Sequence, residues 1–248
     1  MNRLVLFTKN EFFKLFYQVK TKILIALSII STVAIGIFTF LISNNTGVQV
    51  VSPERFPVFV LELLIGFVMP VLTIFIGSEL LANEFKDGTI KNLFALPVSK
   101  SIIYVGKVFA GAIVIGTYLL IIGVSSVAVS GVLNGTEAFG DLGGFLVSYL
   151  GAFIFLIMVM IITSFFTLLI NSPGMSIVMN LFIWFGLGIG GMFLTKVKGF
   201  LPTSFVDWYQ PLVNGGNLVM ALVPLAYMIS YSTVFIIAGM MIFERKEV

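Results

Sequence analysis

The chain has no cysteine and no histidine in its 248 residues, and only 10% of it is charged. The missing cysteines exclude disulfides, thiol nucleophiles and iron–sulfur ligation, and the missing histidines exclude imidazole bases, proton relays and the usual zinc and haem ligands. An ordinary soluble domain carries about a quarter charged residues. With 59% of this chain apolar, the low charge describes an integral membrane protein. A net charge of +3 is small, and the basic residues sit near the ends of apolar runs. It therefore reads as membrane topology and not as affinity for nucleic acid.

Long apolar runs dominate what remains. A helix needs about 20 such residues to cross roughly 30 Å of hydrocarbon, and six segments qualify: 23–42, 56–81, 108–132, 145–170, 175–194 and 222–243. They are continuous and lack strict alternation, which argues against a barrel. The expected fold is all-α, a single transmembrane domain over 1–248 with an interfacial helix over 1–22. Of the six spans only the second holds acids, Glu62 within it and Glu79 near its end.

Basic loops set orientation. Arg3, Lys9, Lys14, Lys20 and Lys22 precede the first span, Lys86, Lys91, Lys100 and Lys107 follow the second, and Arg245 and Lys246 follow the last. Both termini are expected in the cytoplasm of a cell whose plasma membrane the chain crosses. A cleaved signal peptide is not expected, because the basic stretch before Ile23 is long and no small-x-small site follows the first run. Within that stretch, Leu4, Thr8, Phe12, Leu15, Phe16 and Val19 share one helical face. Two readings stand: an amphipathic helix lying among anionic headgroups, or a frayed extension of the first span.

Between the second and third spans lies a charged island, from Glu84 to Lys100. Gly88 allows a turn that a side chain would strain, a short helix can run from Thr89 to about Leu96, and Pro97 halts it. Ser99 offers an N-cap for the third span, with Lys100 and Lys107 near the headgroups. Ile90, Leu93 and Phe94 are expected as an exposed apolar knob, the makings of a docking surface. A solvated connector explains the same residues equally well.

The order Glu84, Gly88, Thr89, Leu93, Pro97, Val98, Ser99, Lys100 between two spans resembles the cytoplasmic loop of ABC-2 type transporter permeases. Lys100 stands where many relatives have arginine, which keeps the charge and loses the fork. The resemblance implies a coupling helix inserted into a groove of a separate ATP-binding subunit. Its contact residues would be Glu84, Lys86, Asp87, Gly88, Thr89, Lys91, Leu93, Phe94, Pro97, Val98, Ser99 and Lys100. It further implies a second permease copy or a sister chain, subunit contacts through the first and fifth spans, and short re-entrant helices over 195–217 that cap the exit.

No G-x-x-x-x-G-K-[ST] loop occurs; Gly106-Lys107 is followed by Val108. ATP and Mg are therefore expected on the partner, with no cofactor or metal on this chain. Glu62, about 9 Å into its span at roughly 1.5 Å per residue, reads as a near-interface or dimer-contact residue. Gly186 and Gly190 form a G-x-x-x-G pair that permits close helix approach. Phe- and Met-rich spans suit amphipathic cargo or lipid alike. The expected function is export of a hydrophobic or amphipathic substrate, such as an antimicrobial or toxin peptide. The alternatives are a scaffold or sensor docking a cytoplasmic partner, and an ion-coupled carrier, which would want more buried charge than Glu62.

Overall fold

The computed structural model describes residues 3–95, 98–135, 140–170, 172–216 and 218–246, and among them every regular element is helical. The helices are α1 (Arg3–Phe16), α2 (Val19–Thr46), α3 (Phe56–Ile65), α4 (Val68–Lys86), α5 (Ile90–Phe94), α6 (Lys100–Asn134), α7 (Leu142–Thr167), α8 (Pro173–Phe193), α9 (Thr195–Lys198), α10 (Gln210–Val213) and α11 (Leu218–Arg245). Six of them, α2, α4, α6, α7, α8 and α11, are long and apolar enough to cross a membrane.

The second span is not one helix. Pro70 has no N–H, and its ring would strike the carbonyl of residue 66 in a continuous helix. The chain breaks there: α3 ends at Ile65, Phe67 leaves the helical region at φ −142°, ψ −56°, and α4 starts at Val68. At about 1.5 Å per residue, α3 is roughly 15 Å long and cannot cross alone, whereas α4 reaches about 28 Å. The third span begins earlier than its apolar run, at Lys100, because the charges that seemed to bound it lie inside the helix.

A tyrosine-and-hydroxyl framework ties the bundle together. In the apolar 18-residue stretch of each helix, 72% of the residues are buried in α4 and 56% in α7, against 17% in α2 and 11% in α11, so α4 and α7 form the centre and α2 and α11 flank it. α6 lies between α1, α2 and α7. In hydrocarbon, apolar surface alone gives helices little reason to associate, and polar side chains and close contact do more. Asn180 of α8 donates to Ser78 of α4 at 3.2 Å and to Thr167 of α7 at 3.2 Å. Tyr104 of α6 bonds Ser164 of α7 at 2.8 Å, and Tyr118 donates to the Thr21 carbonyl at 2.9 Å. Tyr149 donates to the Pro57 carbonyl at 3.1 Å, which holds the α3 piece against α7.

The N-terminal arm is a helix of its own and not a continuation of the first span. α1 stops at Phe16, Gln18 is extended at φ −61°, ψ 140°, and α2 starts at Val19. α1 packs along α6 with Leu15 in the core and Phe12 against it.

Candidate functional site

The charged island hangs from one aromatic hub. Phe243 of α11 is fully buried, and around it gather Phe85 at the end of α4 (6.3 Å between ring centres), Phe94 of α5 (5.5 Å) and Tyr104 of α6 (5.8 Å). The Phe85 and Phe94 rings meet Phe243 edge-to-face, and such pairs add to the burial itself. Ile90 is also fully buried, and Leu93 and Val98 pack against the core. The expected exposed knob of Ile90, Leu93 and Phe94 is therefore turned inward. Its apolar side chains find a partner in α11, far away in the sequence, that the island alone does not disclose.

What faces solvent instead is polar: Lys86, Asp87, Gly88, Thr89, Lys91, Asn92 and Ser99. Gly88 has φ +66°, the left-handed turn between α4 and α5, with the Lys91 and Asn92 amides bonded back to the Gly88 and Thr89 carbonyls. α5 is shorter than expected. Ser99 immediately precedes α6 in extended backbone but its hydroxyl makes no cap bond; Pro97 and Leu96 lie outside the described residues. No heavy atom lies within 4 Å of a Cβ added at Gly88, so Gly88→Val meets backbone strain and no clash. That conformation costs a non-glycine residue about 1–2 kcal/mol, more for a β-branched one. We expect the variant to insert normally with a Tm lowered by a few degrees, whereas Gly88→Asn, which tolerates this region, stays near the parent in the same thermal scan.

The C-terminal tail closes over this turn. Lys100 lies 4.4 Å over the Phe94 ring and donates to the Glu244 and Lys246 carbonyls at 3.1 and 2.8 Å. Ser101 bonds the Glu244 carboxylate, and Lys246 sits 3.8 Å over Phe85. Burial lowers the pKa of the Lys246 ammonium. Lys100 is thus an internal strap, joining the start of α6 to the end of α11.

Beneath the island runs a buried charge cluster. Lys107, expected near the headgroups, is fully buried and donates to Glu84 at 2.7 Å and to Glu11 at 2.8 Å. Lys14 donates to the same Glu84 oxygen at 2.6 Å, and Lys20 pairs with Glu79. A buried ammonium is tolerable only when paired and hydrogen-bonded, and two carboxylates from different helices meet that need. Partial burial pulls the Lys14 pKa down, but the Glu84 bond and charge, with Glu11 and Asp87 behind them, outweigh it and raise it. Glu84 is 4% exposed, so it braces α4 against α1 and α6 and does not face an incoming partner. Its second oxygen, Oε2, is buried with no hydrogen-bond partner. A groove of about 540 Å³ opens here between α1 and the α4–α5 turn, with Glu11, Lys14, Glu84, Asp87, Thr89 and Asn92 in its walls.

Sequence reasoning missed Glu11 and Lys107. A usable signal was present, since a lysine amid Val105, Gly106 and Val108 in an apolar helix requires a buried acid somewhere. The remaining expected residues lie elsewhere. Glu62 is exposed and lines a small cavity at the other end of the bundle with Arg55, Asp141 and Tyr209. Gly186 and Gly190 have no heavy atom within 4 Å of an added Cβ, so they make no close helix contact within this chain. Phe182 and Met192, on the same helix, are 78% and 74% exposed. Over 195–216 the chain forms the short helices α9 and α10 with a 3-10 turn between them, held to α7 by the Trp208 indole donating to the Gly151 carbonyl at 2.9 Å.

Compared with known families, residues 8–188 match the model described as ABC-2 family transporter protein. That match begins within α1, covers the charged island and the long helices α2, α4, α6 and α7, and ends within α8. Among curated proteins, none matches the sequence.

Proposed function

The chain belongs to the ABC-2 transporter family, and on that premise we propose that it is the permease subunit of an ATP-driven exporter, worked by a separate cytoplasmic ATPase that binds ATP and Mg. The observation that carries this reading is the construction of the island. A polar rim, Lys86 to Asn92, is mounted on α5 by Ile90 and Phe94, and the same segment is continuous through Glu84 with a charge cluster that grips α1 and α6. A push on the rim reaches three helices without first deforming a soft loop. α5 then serves as the coupling helix and α1 as the interfacial elbow, both at the cytoplasmic face where the basic residues gather.

Two copies, or this chain with a sister, form the pathway. Support comes from α2 and α8, which keep most of their surface outside this chain's own core, and from the open stripe at Gly186 and Gly190. An amphipathic or hydrophobic cargo, an antimicrobial or toxin peptide among them, suits walls rich in Phe and Met. Motion between inward- and outward-open states supplies transport, the ATPase binding one state better than the other.

The test is reversal of the rim charges, Asp87→Lys with Lys91→Glu, in the chain purified with its cognate ATPase. Both side chains are exposed, so membrane insertion and Tm should hold within a degree or two. Vanadate-sensitive ATPase stimulation and substrate efflux should fall at least about tenfold, as loss of charge complementarity at an interface does. Unchanged stimulation would falsify the coupling role of the rim. Glu84→Lys is not a usable probe, because it sets a third cation against Lys14 and Lys107 and disrupts the fold.

A further inference from the structure

At the end of the bundle opposite the charged island, a cavity of about 200 Å³ is framed by α3, the start of α7 and α10. Two hydroxyls in its lining, Ser148 Oγ on α7 and Tyr209 Oη just before α10, belong to fully buried side chains, and neither has a hydrogen-bond partner. A buried hydroxyl left unmade costs free energy, and native structures rarely keep two in one place without a use. Around them stand the carboxylates of Glu62 and Asp141 and the amides of Gln210 and Asn214. Asp141 already accepts the Gly144 amide through one oxygen at 2.8 Å, leaving the other for a ligand. Burial first, then the Asp207 and Glu62 charges, push the Tyr209 phenol well up, so it is a neutral group under any physiological condition. Arg55 is the one cation in the lining, and it is exposed, where water screens it far more than the buried hydroxyls.

We propose that this cavity is a binding site for an alkylammonium group, with Glu62 and Asp141 supplying the counter-charge and the Tyr209 and Ser148 hydroxyls accepting its N–H bonds. The volume suits the aminoalkyl end of a molecule and not a whole drug-sized ligand, whose pockets run to about 300–1,000 Å³. The donor count agrees: an ammonium has three N–H groups, and two carboxylates with two hydroxyls exceed that need. Such a group reaches this face either on a soluble amine or on an ethanolamine lipid headgroup, and the site chemistry is the same for both.

The full chain in phosphatidylcholine nanodiscs is titrated with n-propylamine, and with n-propanol as the uncharged counterpart, reading Tm and tryptophan fluorescence, since Trp208 adjoins Tyr209. Saturable stabilisation by the amine alone is expected. Glu62→Gln and Tyr209→Phe should each weaken it about tenfold, as loss of one hydrogen bond to a charged group does. Without amine, Tyr209→Phe should leave Tm unchanged or raise it, because it removes an unpaired hydroxyl and keeps the ring. Added phosphatidylethanolamine that competes identifies the lipid source, and absence of competition identifies a soluble amine. No saturable response to propylamine, or an equal response to propanol, overturns the site. So does a Tyr209→Phe chain that loses Tm yet binds amine with unchanged affinity.

Discussion

Lys107→Met is expected to be the most damaging single change at the charged end of the molecule, lowering stability by about 3–5 kcal/mol, the usual cost of removing one partner from a buried ionic group. Methionine fills much the same volume, so packing is not the cause. The cause is that Glu84 and Glu11, 4% and 8% exposed, lose the ammonium that each bonds within 2.8 Å. Lys14 can still neutralise Glu84 in part, being 2.6 Å away, but Glu11 has no other ion pair among those described. The companion experiment separates charge from shape. A triple change, Lys107→Met with Glu84→Gln and Glu11→Gln, removes the three buried charges and leaves Lys14, whose side chain is 53% exposed, to water, and replacing a buried ionic group entirely is often near neutral. Thermal unfolding in detergent should therefore place the triple variant well above Lys107→Met. Equal Tm values for the two would mean that Lys107 stabilises through its stem and not through its charge. For coupling the expectation reverses. With α1, α4 and α6 no longer locked, the triple variant should fold yet transmit poorly from the rim, giving ATPase activity without efflux.

Much of this architecture was legible beforehand, for reasons that individual residues make clear. The six crossing helices stand out because hydrocarbon tolerates no charge over about 20 residues, and a run such as 145–170 satisfies that on its own. Gly88 announced its turn because few other residues take a positive φ without strain. The break at Gly66 and Phe67 was hidden, since hydropathy is blind to a missing N–H; only Pro70 signalled it, and proline is often tolerated in membrane helices. The direction faced by Ile90 and Phe94 could not be read at all, because Phe243 decides it from the other end of the chain. Glu84 was read as a coupling contact, yet its ion-pair partners Lys14 and Lys107 come from two other helices, 70 and 23 positions away. Orientation from basic residues rested partly on Lys107, which is instead fully buried between Glu11 and Glu84.

At the other end, the largest expected effect comes from Gly151→Val. A Cβ at residue 151 would stand 2.5 Å from Tyr209 Cβ and 2.6 Å from its Cγ. These are the stem atoms of a fully buried ring, so no flexible tip can swing aside, and the segment carrying Tyr209 must lift from α7. Lifting it also stretches the Trp208 bond to the Gly151 carbonyl, now 2.9 Å. Forced overpacking costs about 1–3 kcal/mol, and the broken indole bond adds about 1 kcal/mol. Gly151→Ala already meets the same two atoms, so it should show most of the effect, and the step from Ala to Val should add less than the step from Gly to Ala. Limited proteolysis from the side bearing α10 reads this directly: cleavage between 199 and 216 should accelerate sharply in both variants while the α4–α5 turn stays as resistant as in the parent. A parent-like cleavage pattern in Gly151→Val would mean that α7 shifts and not the capping segment. Amine binding then distinguishes the two motions further, because Ser148 rides on α7 and Tyr209 on the cap. Separating them opens the cavity and abolishes the site, whereas a rigid shift of α7 carries Ser148 and Gly151 together and only weakens it.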